Sequence, residues 1–191
     1  MIEIELKARL PDYEATRRAL EAAGARFLGE SQKRDLYYGP ETKTARDIDV
    51  TRDPVFRLRS EGEKWRVTTK RRSMEDGIET NEEVEFGVDD AVSFREFAQR
   101  IGFRPFIVKK KDTRTYELGE ACVELHRIEP IGDFIEIEVL LEDGADEDAR
   151  RAAEAEIRSI LERAGVPEVQ IESRLYVDLL RAAGAGGPPS S

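Results

Sequence analysis

Ile2-Glu3-Ile4-Glu5-Leu6-Lys7-Ala8-Arg9 alternates apolar and charged side chains without a break. A period of two puts Ile2, Ile4 and Leu6 on one face of an extended strand, and Glu3, Glu5 and Lys7 on the other. Such a strand needs an apolar cover on one side and a use for its charges on the other. Further along, Glu83-Val84-Glu85 and Glu136-Ile137-Glu138 repeat the pair of carboxylates two residues apart, while Arg57-Leu58-Arg59 and Lys109-Lys110-Lys111 are their basic counterparts. Lys7 shares the face of the first acidic pair, and Lys70 ends another strand.

An open sheet with one solvated face also alternates. On such a face Lys, Thr, Gln and Glu mix freely, whereas here acidic and basic pairs keep to separate strands between strongly apolar neighbours. A closed barrel of about eight antiparallel strands explains the segregation, with charges lining a small cavity and apolar side chains facing covering helices. Enclosed charges cost several kcal/mol each, as an order of magnitude, unless they meet counter-charges, water, a metal or an anion. Carboxylates suit Mg²⁺ or Mn²⁺, and lysine and arginine suit phosphate oxygens. A polyphosphate carrying divalent cations would satisfy both sets.

Turn and cap signals divide the rest of the chain. Pro11 and Asp12 open a helix over 13–23 that Gly24 closes, and a strand follows over 26–38. Strands at 55–60 and 64–70 flank Glu61-Gly62-Glu63, a looser segment covers 72–77, and a strand runs over 79–88. Asp89-Asp90 cap a helix over 91–101; strands follow at 106–118, 121–129 and 131–141, then helices at 146–164 and 173–183. Strand-helix-strand thus occurs twice, a weak internal repeat. The fold class is α+β in one domain, 1–183, with a disordered Gly/Pro/Ser tail at 184–191.

A net charge of -10 across 191 residues argues against general binding to nucleic acid or an anionic membrane, so an anionic ligand would need a local basic site. Cys122 and His126 are the only residues of their kinds, which excludes an intrachain disulfide and a structural zinc site. The N-terminus lacks a signal peptide and no apolar run approaches a membrane span, so the cytoplasm is the expected compartment. There is neither a P-loop nor a Gly-x-Gly-x-x-Gly, and Cys122 with His126 does not define a nucleophilic dyad. Trp65, Tyr37 and Tyr38 read as packing residues.

Glu3-x-Glu5-x-Lys7, Gln32-x-x-Asp35-x-Tyr37-Tyr38, Arg57-Leu58-Arg59, Thr69-Lys70, Glu83-x-Glu85 and Gly132-Asp133-Phe134-Ile135-Glu136-Ile137-Glu138 follow one another in this order. The series resembles the CYTH, or triphosphate tunnel metalloenzyme, superfamily over nearly the whole chain, and the ending Ser173 to Leu180 looks like its class IV adenylate cyclase branch. The resemblance implies that Glu3, Glu5, Glu136 and Glu138 help hold Mg²⁺ or Mn²⁺, with Glu83 and Glu85 extending the acidic side. It implies that Arg57, Arg59, Lys70, Lys109 and Lys111 grip phosphates, with Arg114 a provisional addition. Lys7 would contact a phosphate or tune a carboxylate, and with Arg57, Arg59 and Lys70 it makes up the expected catalytic set.

Two positions depart from the family pattern: Asn81 stands where an arginine is common, and Lys109, Lys111, Thr113 and Arg114 share the region of a Lys-x-Arg motif. His126 replaces a common acid and is expected at the rim. The implied reaction is conversion of ATP to cyclic AMP and pyrophosphate. The alternatives are hydrolysis of inorganic, thiamine or nucleoside triphosphate, and a non-catalytic polyphosphate or nucleotide sensor. Pairing of barrels into a homodimer is also implied.

Overall fold

The computed structural model describes residues 2–185. The tail expected to be disordered lies, from 186 onward, outside the described residues. Eight strands form one closed antiparallel barrel: β1 (Ile2–Arg9), β2 (Arg26–Pro40), β3 (Phe56–Glu61), β4 (Lys64–Glu75), β5 (Ile78–Gly87), β6 (Phe103–Leu118), β7 (Ala121–Ile128) and β8 (Gly132–Leu141). Around the barrel the order is β1-β5-β4-β3-β2-β6-β7-β8. The helices are α1 (Tyr13–Ala22), α2 (Ala91–Arg100), α3 (Glu147–Arg163) and α4 (Tyr176–Ala182).

The closed α+β barrel expected from the alternating strands is therefore present, and its topology contains the repeat. Each half is a strand, a helix and a three-stranded meander, with β2 against β6. The leading strands are exchanged: β1 closes on β8 of the second half and β5 on β4 of the first. Exchange leaves neither half with its own closed sheet, so the halves complete one barrel together.

Burial follows the strand parity. Ile2, Ile4, Leu6 and Ala8 on the outer face of β1 join Ile135 and Ile137 of β8, Leu20 of α1, and Ile157 and Ile160 of α3 in the largest apolar cluster. Helices therefore cover the outside and leave the interior to charge. Asp12, Asp90 and Asp146 cap α1, α2 and α3 through their carboxylates, as the sequence signals indicate for the first two.

β6 begins at Phe103, three residues before its expected start, and two further segments differ from expectation. Residues 72–75 continue β4, and Asp76-Gly77, both at positive φ (46° and 80°), makes a two-residue turn into β5. That backbone matches the twist of paired strands, so the hairpin extends where polar composition suggested a loop. The last helix starts at Tyr176 instead of Ser173. Its approach is tied to β1: Glu172 N donates to Lys7 O (2.9 Å), Lys7 Nζ donates to Arg174 O (2.6 Å), and Arg9 Nε donates to Glu172 Oε2 (3.0 Å).

Glu172 is the anchor of this tie. Bonds from Arg174, opposed by burial and helped by Arg9, hold its carboxyl at about 2 instead of 4.5. A carboxyl lowered on folding stabilises above its unfolded value and loses that contribution as pH falls from about 4.5 to 2. Glu172→Gln is expected to cost about 1–2 kcal/mol at pH 7 and almost nothing near pH 2, a difference that urea titrations at the two pH values would measure. An equal cost at both would refute an electrostatic anchor.

Candidate active site

Period-two parity brings the charged residues together inside the barrel. A cavity of about 520 Å³ is lined by Glu3, Glu5 and Lys7 from β1, Arg57 and Arg59 from β3, Lys70 from β4, and Glu83 and Glu85 from β5; Lys109 and Lys111 from β6 and Glu136 and Glu138 from β8 complete this set. All the expected site residues but Arg114 therefore face one space. Arg114 leaves the strand on the opposite side from Lys109, Lys111 and Thr113; its Nη2 meets Glu30 at 2.5 Å and its guanidinium lies over Phe27. It does not line the cavity.

The acidic wall is built around one ammonium. Lys70 Nζ donates to Glu3 Oε2 (2.7 Å), meets Glu83 Oε1 at 2.5 Å and lies 3.8 Å from Glu5 Oε2. Asn81, at the position where an arginine was common, is buried and donates Nδ2 to Glu3 Oε2 (2.9 Å). Burial alone would lower the Lys70 pKa, but Glu5, Glu3 and Glu83 together raise it. One cation does not neutralise the wall: burial, then Glu5, pushes Glu3 up to about 9, and burial, then Glu136, pushes Glu5 up to about 7. Burial likewise raises Glu138. Glu85 sits apart, accepting from Thr68 and Arg66.

The basic wall has a buried brace. Asp35, 0% exposed, accepts from Arg59 Nε and Nη2 (2.6 and 3.0 Å) and meets Lys109 Nζ at 3.1 Å. Burial would raise this carboxyl; Lys109 and Arg59 hold it well below its ordinary value. Arg57 differs in having no carboxylate partner among the described residues: Nη2 donates to Thr68 Oγ1 (3.1 Å), while Nε is buried with no partner. A half-buried guanidinium whose buried Nε has no partner is suited to an anionic oxygen. Lys7, its ammonium on the Arg174 carbonyl and 4.6 Å from the centre of the Tyr176 ring, stands at the end closed by α4.

Sequence did not single out Asp35, Lys33 or Glu124 as site residues, nor Arg66, Arg72 and Glu79, which also line the cavity. Lys33 donates to Glu124 Oε1 at 2.5 Å, and Glu124 is opposite Glu136 in the β7–β8 register. His126 lies two residues on, fully buried instead of at the rim, because β7 carries it on the inward face with Glu124. Its Nε2 is 2.5 Å from Glu136 Oε2 and 3.0 Å from Lys111 Nζ, and its Nδ1 is 3.0 Å from Thr113 Oγ1. Burial, then Lys111, lowers His126 to about 4, so it is neutral at pH 7. Burial would raise Glu124, but Lys111, His126 and Lys33 bring it to about 2. The Cys122 thiol, raised to about 12 by burial and then by Glu124, is no ready nucleophile.

The donor set fits a divalent metal. Oxygen ligands converge on a wall whose own cation leaves negative charge uncompensated, and Glu124, His126 and Glu136 bring ligand atoms within 4.8 Å of one another. This second group shares only Glu136 with the acids expected from sequence.

The chain matches the CYTH domain family over residues 1–176 and belongs to it. Its relatives include an Aeromonas hydrophila protein named adenylate cyclase CyaB, 25% identical over 91% of this chain and 86% of that one. A Methanocaldococcus jannaschii protein with a provisional adenylate cyclase name is 24% identical over 94% of this chain and 98% of its own. Among solved structures, the PH1012 protein of Pyrococcus horikoshii superposes with a TM-score of 0.75 at 30% identity, covering 93% of this chain and 98% of that one. No helix among the described residues is long and apolar enough to cross a membrane.

Proposed function

We propose that the chain is a metal-dependent enzyme that binds ATP by its triphosphate and converts it to cyclic AMP and pyrophosphate. The observation that carries triphosphate binding is the pairing inside one cavity of a basic wall, with the uncommitted Arg57 donor, and an acidic wall short of positive charge. The cyclase reaction is supported by the names of two relatives that align with almost the whole chain.

Arg57 offers the triphosphate its free Nε, while Arg59 and Lys109 approach it from a position fixed by Asp35. Such fixed cations stabilise charge on a transferring phosphate without reorganising during the reaction. Lys70 holds Glu3, Glu5 and Glu83 together. Glu3, Glu5, Glu136 and Glu138 would hold Mg²⁺ or Mn²⁺, which when bound polarises phosphate oxygens and offsets their charge. The mainly enclosed, charged space orients the substrate, which is most of what this chemistry asks of a protein.

The test is metal-dependent turnover of ATP, inorganic triphosphate and thiamine triphosphate in parallel, with cyclic AMP, pyrophosphate and phosphate resolved. Cyclic AMP and pyrophosphate in equal amounts from ATP are the expected result, lost in Glu138→Ala with the fold retained. Phosphate without cyclic AMP would replace the cyclase reading with a triphosphatase. Tight binding without turnover of any substrate would replace it with a sensor.

A further inference from the structure

His126 is the chain's only histidine and is fully buried inside the barrel. Three donor atoms converge beside it on the Lys111 ammonium. Nζ lies 3.0 Å from His126 Nε2, 3.2 Å from Glu136 Oε2 and 3.7 Å from Glu124 Oε2. Nε2 itself lies 2.5 and 3.5 Å from the two carboxylates. One nitrogen and two oxygens around a compact cation describe a place that a metal ion could take. Lys33, on Glu124 Oε1, and Lys111 balance the two carboxylates here, so a divalent ion in the Lys111 place adds one positive charge that a bound triphosphate offsets.

We propose that His126, with Glu124 and Glu136, ligates a divalent first-row transition metal in the place that the Lys111 ammonium holds here. The proposal rests on the reading of the cavity as a triphosphate-binding metal site and names the kind of metal. A triphosphate on the basic wall takes Lys111 as one of its ligands, and the position among the two carboxylates and the imidazole passes to the metal. Metal and triphosphate then assist each other's binding, as linkage requires.

The ligand types set the preference. Mg²⁺ favours oxygen and water, whereas imidazole suits the later first-row ions, and Mn²⁺, at the weak end of that series, still accepts an imidazole nitrogen beside carboxylates. Thr113 makes the exchange feasible. Its hydroxyl can donate to His126 Nδ1 while Nε2–H points at Glu136, or accept from Nδ1–H while Nε2 is bare for the metal. Either tautomer keeps both ring nitrogens partnered, so Thr113 is a positioning residue for the ligand.

The experiment is electron spin-echo spectroscopy of Mn²⁺ bound to the full chain made without a histidine tag, both alone and with a methylene-bridged triphosphate that contains no nitrogen. Because the chain has one histidine, a directly bound ¹⁴N whose signal changes on ¹⁵N-histidine labelling identifies His126, and that is the expected result. His126→Gln and Thr113→Val are each expected to weaken Mn²⁺ about 10-fold or more and to change Mg²⁺ by less than about twofold. Bound Mn²⁺ with no histidine nitrogen would overturn the ligation while leaving a metal-dependent tunnel intact. No Mn²⁺ binding under either condition would overturn both this inference and the metal reading beneath it. Labelling the unaltered protein keeps the result independent of whether either variant folds.

Discussion

Asp35→Ala is expected to destabilise the protein by about 3–5 kcal/mol, because it leaves the buried Arg59 and Lys109 without their shared counter-ion. For a chain of this size that corresponds to a fall in melting temperature of about 10 °C. The loss would come less from the attraction removed than from the desolvated charges left behind, so a second change should recover part of it. Asp35→Ala combined with Lys109→Met is expected to melt above Asp35→Ala alone. Inorganic triphosphate should raise the melting temperature of Asp35→Ala more than that of the unaltered chain, since the released cations gain an anion. Calorimetric scans with and without triphosphate measure both effects. A variant that melts with the unaltered protein would show that Asp35 does not brace the basic wall.

Much of this wall was legible because strand parity is a strict geometric rule. Once Lys109 and Lys111 are inward, Thr113 and Thr115 follow them, and Arg114 cannot. Motif matching favoured Arg114, whereas the parity of its own strand placed it outside. The same rule could have found Glu124, two residues before His126, and moved His126 from the rim to the interior. What it could not supply was register. The Glu124 to Glu136 pairing depends on the turn after Ile128, and the Asp35 brace on which β3 and β6 residues flank it. Sequence showed Asp35 within a motif, but its role appears only when two strands deliver cations to the same carboxylate.

The loop-like reading of 72–77 failed for a different reason. Arg72 and Glu75 look solvated in sequence, yet Arg72 lines the cavity and donates to Glu79 across the hairpin (3.0 Å). In a barrel with a charged interior, polarity no longer separates strand from loop, and the Asp76-Gly77 turn is the better guide. Likewise the C-terminal helix was extended too far because its apolar stripe says nothing about the Lys7 ammonium, which takes the Arg174 carbonyl just before Tyr176.

Glu3→Gln is expected to act in opposite directions on turnover and stability. Glu3 faces Glu5 on its own strand, Lys70, Asn81 and Glu83 across β4 and β5, and Glu138 on β8. Burial and then Glu5 push its pKa up to about 9, against an ordinary 4.5. Between these values the folded chain retains a proton that the unfolded chain releases, so folding stability falls as pH rises through the window. A neutral amide removes that dependence but can still accept from Lys70 and Asn81. The variant should therefore match the unaltered, metal-free protein near pH 4 and exceed it by about 1–3 kcal/mol at pH 8. Glu5, raised to about 7, leaves a shallower slope in the variant. Turnover should nevertheless fall about a hundredfold, because an amide replaces an anionic oxygen at the metal-binding wall. Urea midpoints at the two pH values, read beside metal-dependent turnover, separate the effects. Equal pH slopes would show that Glu3 does not hold the proton, whereas undiminished turnover would remove it from the metal set. A gain in stability coupled to lost turnover would mean that the acid forced to hold a proton in the free wall is the one whose anionic form binds the metal.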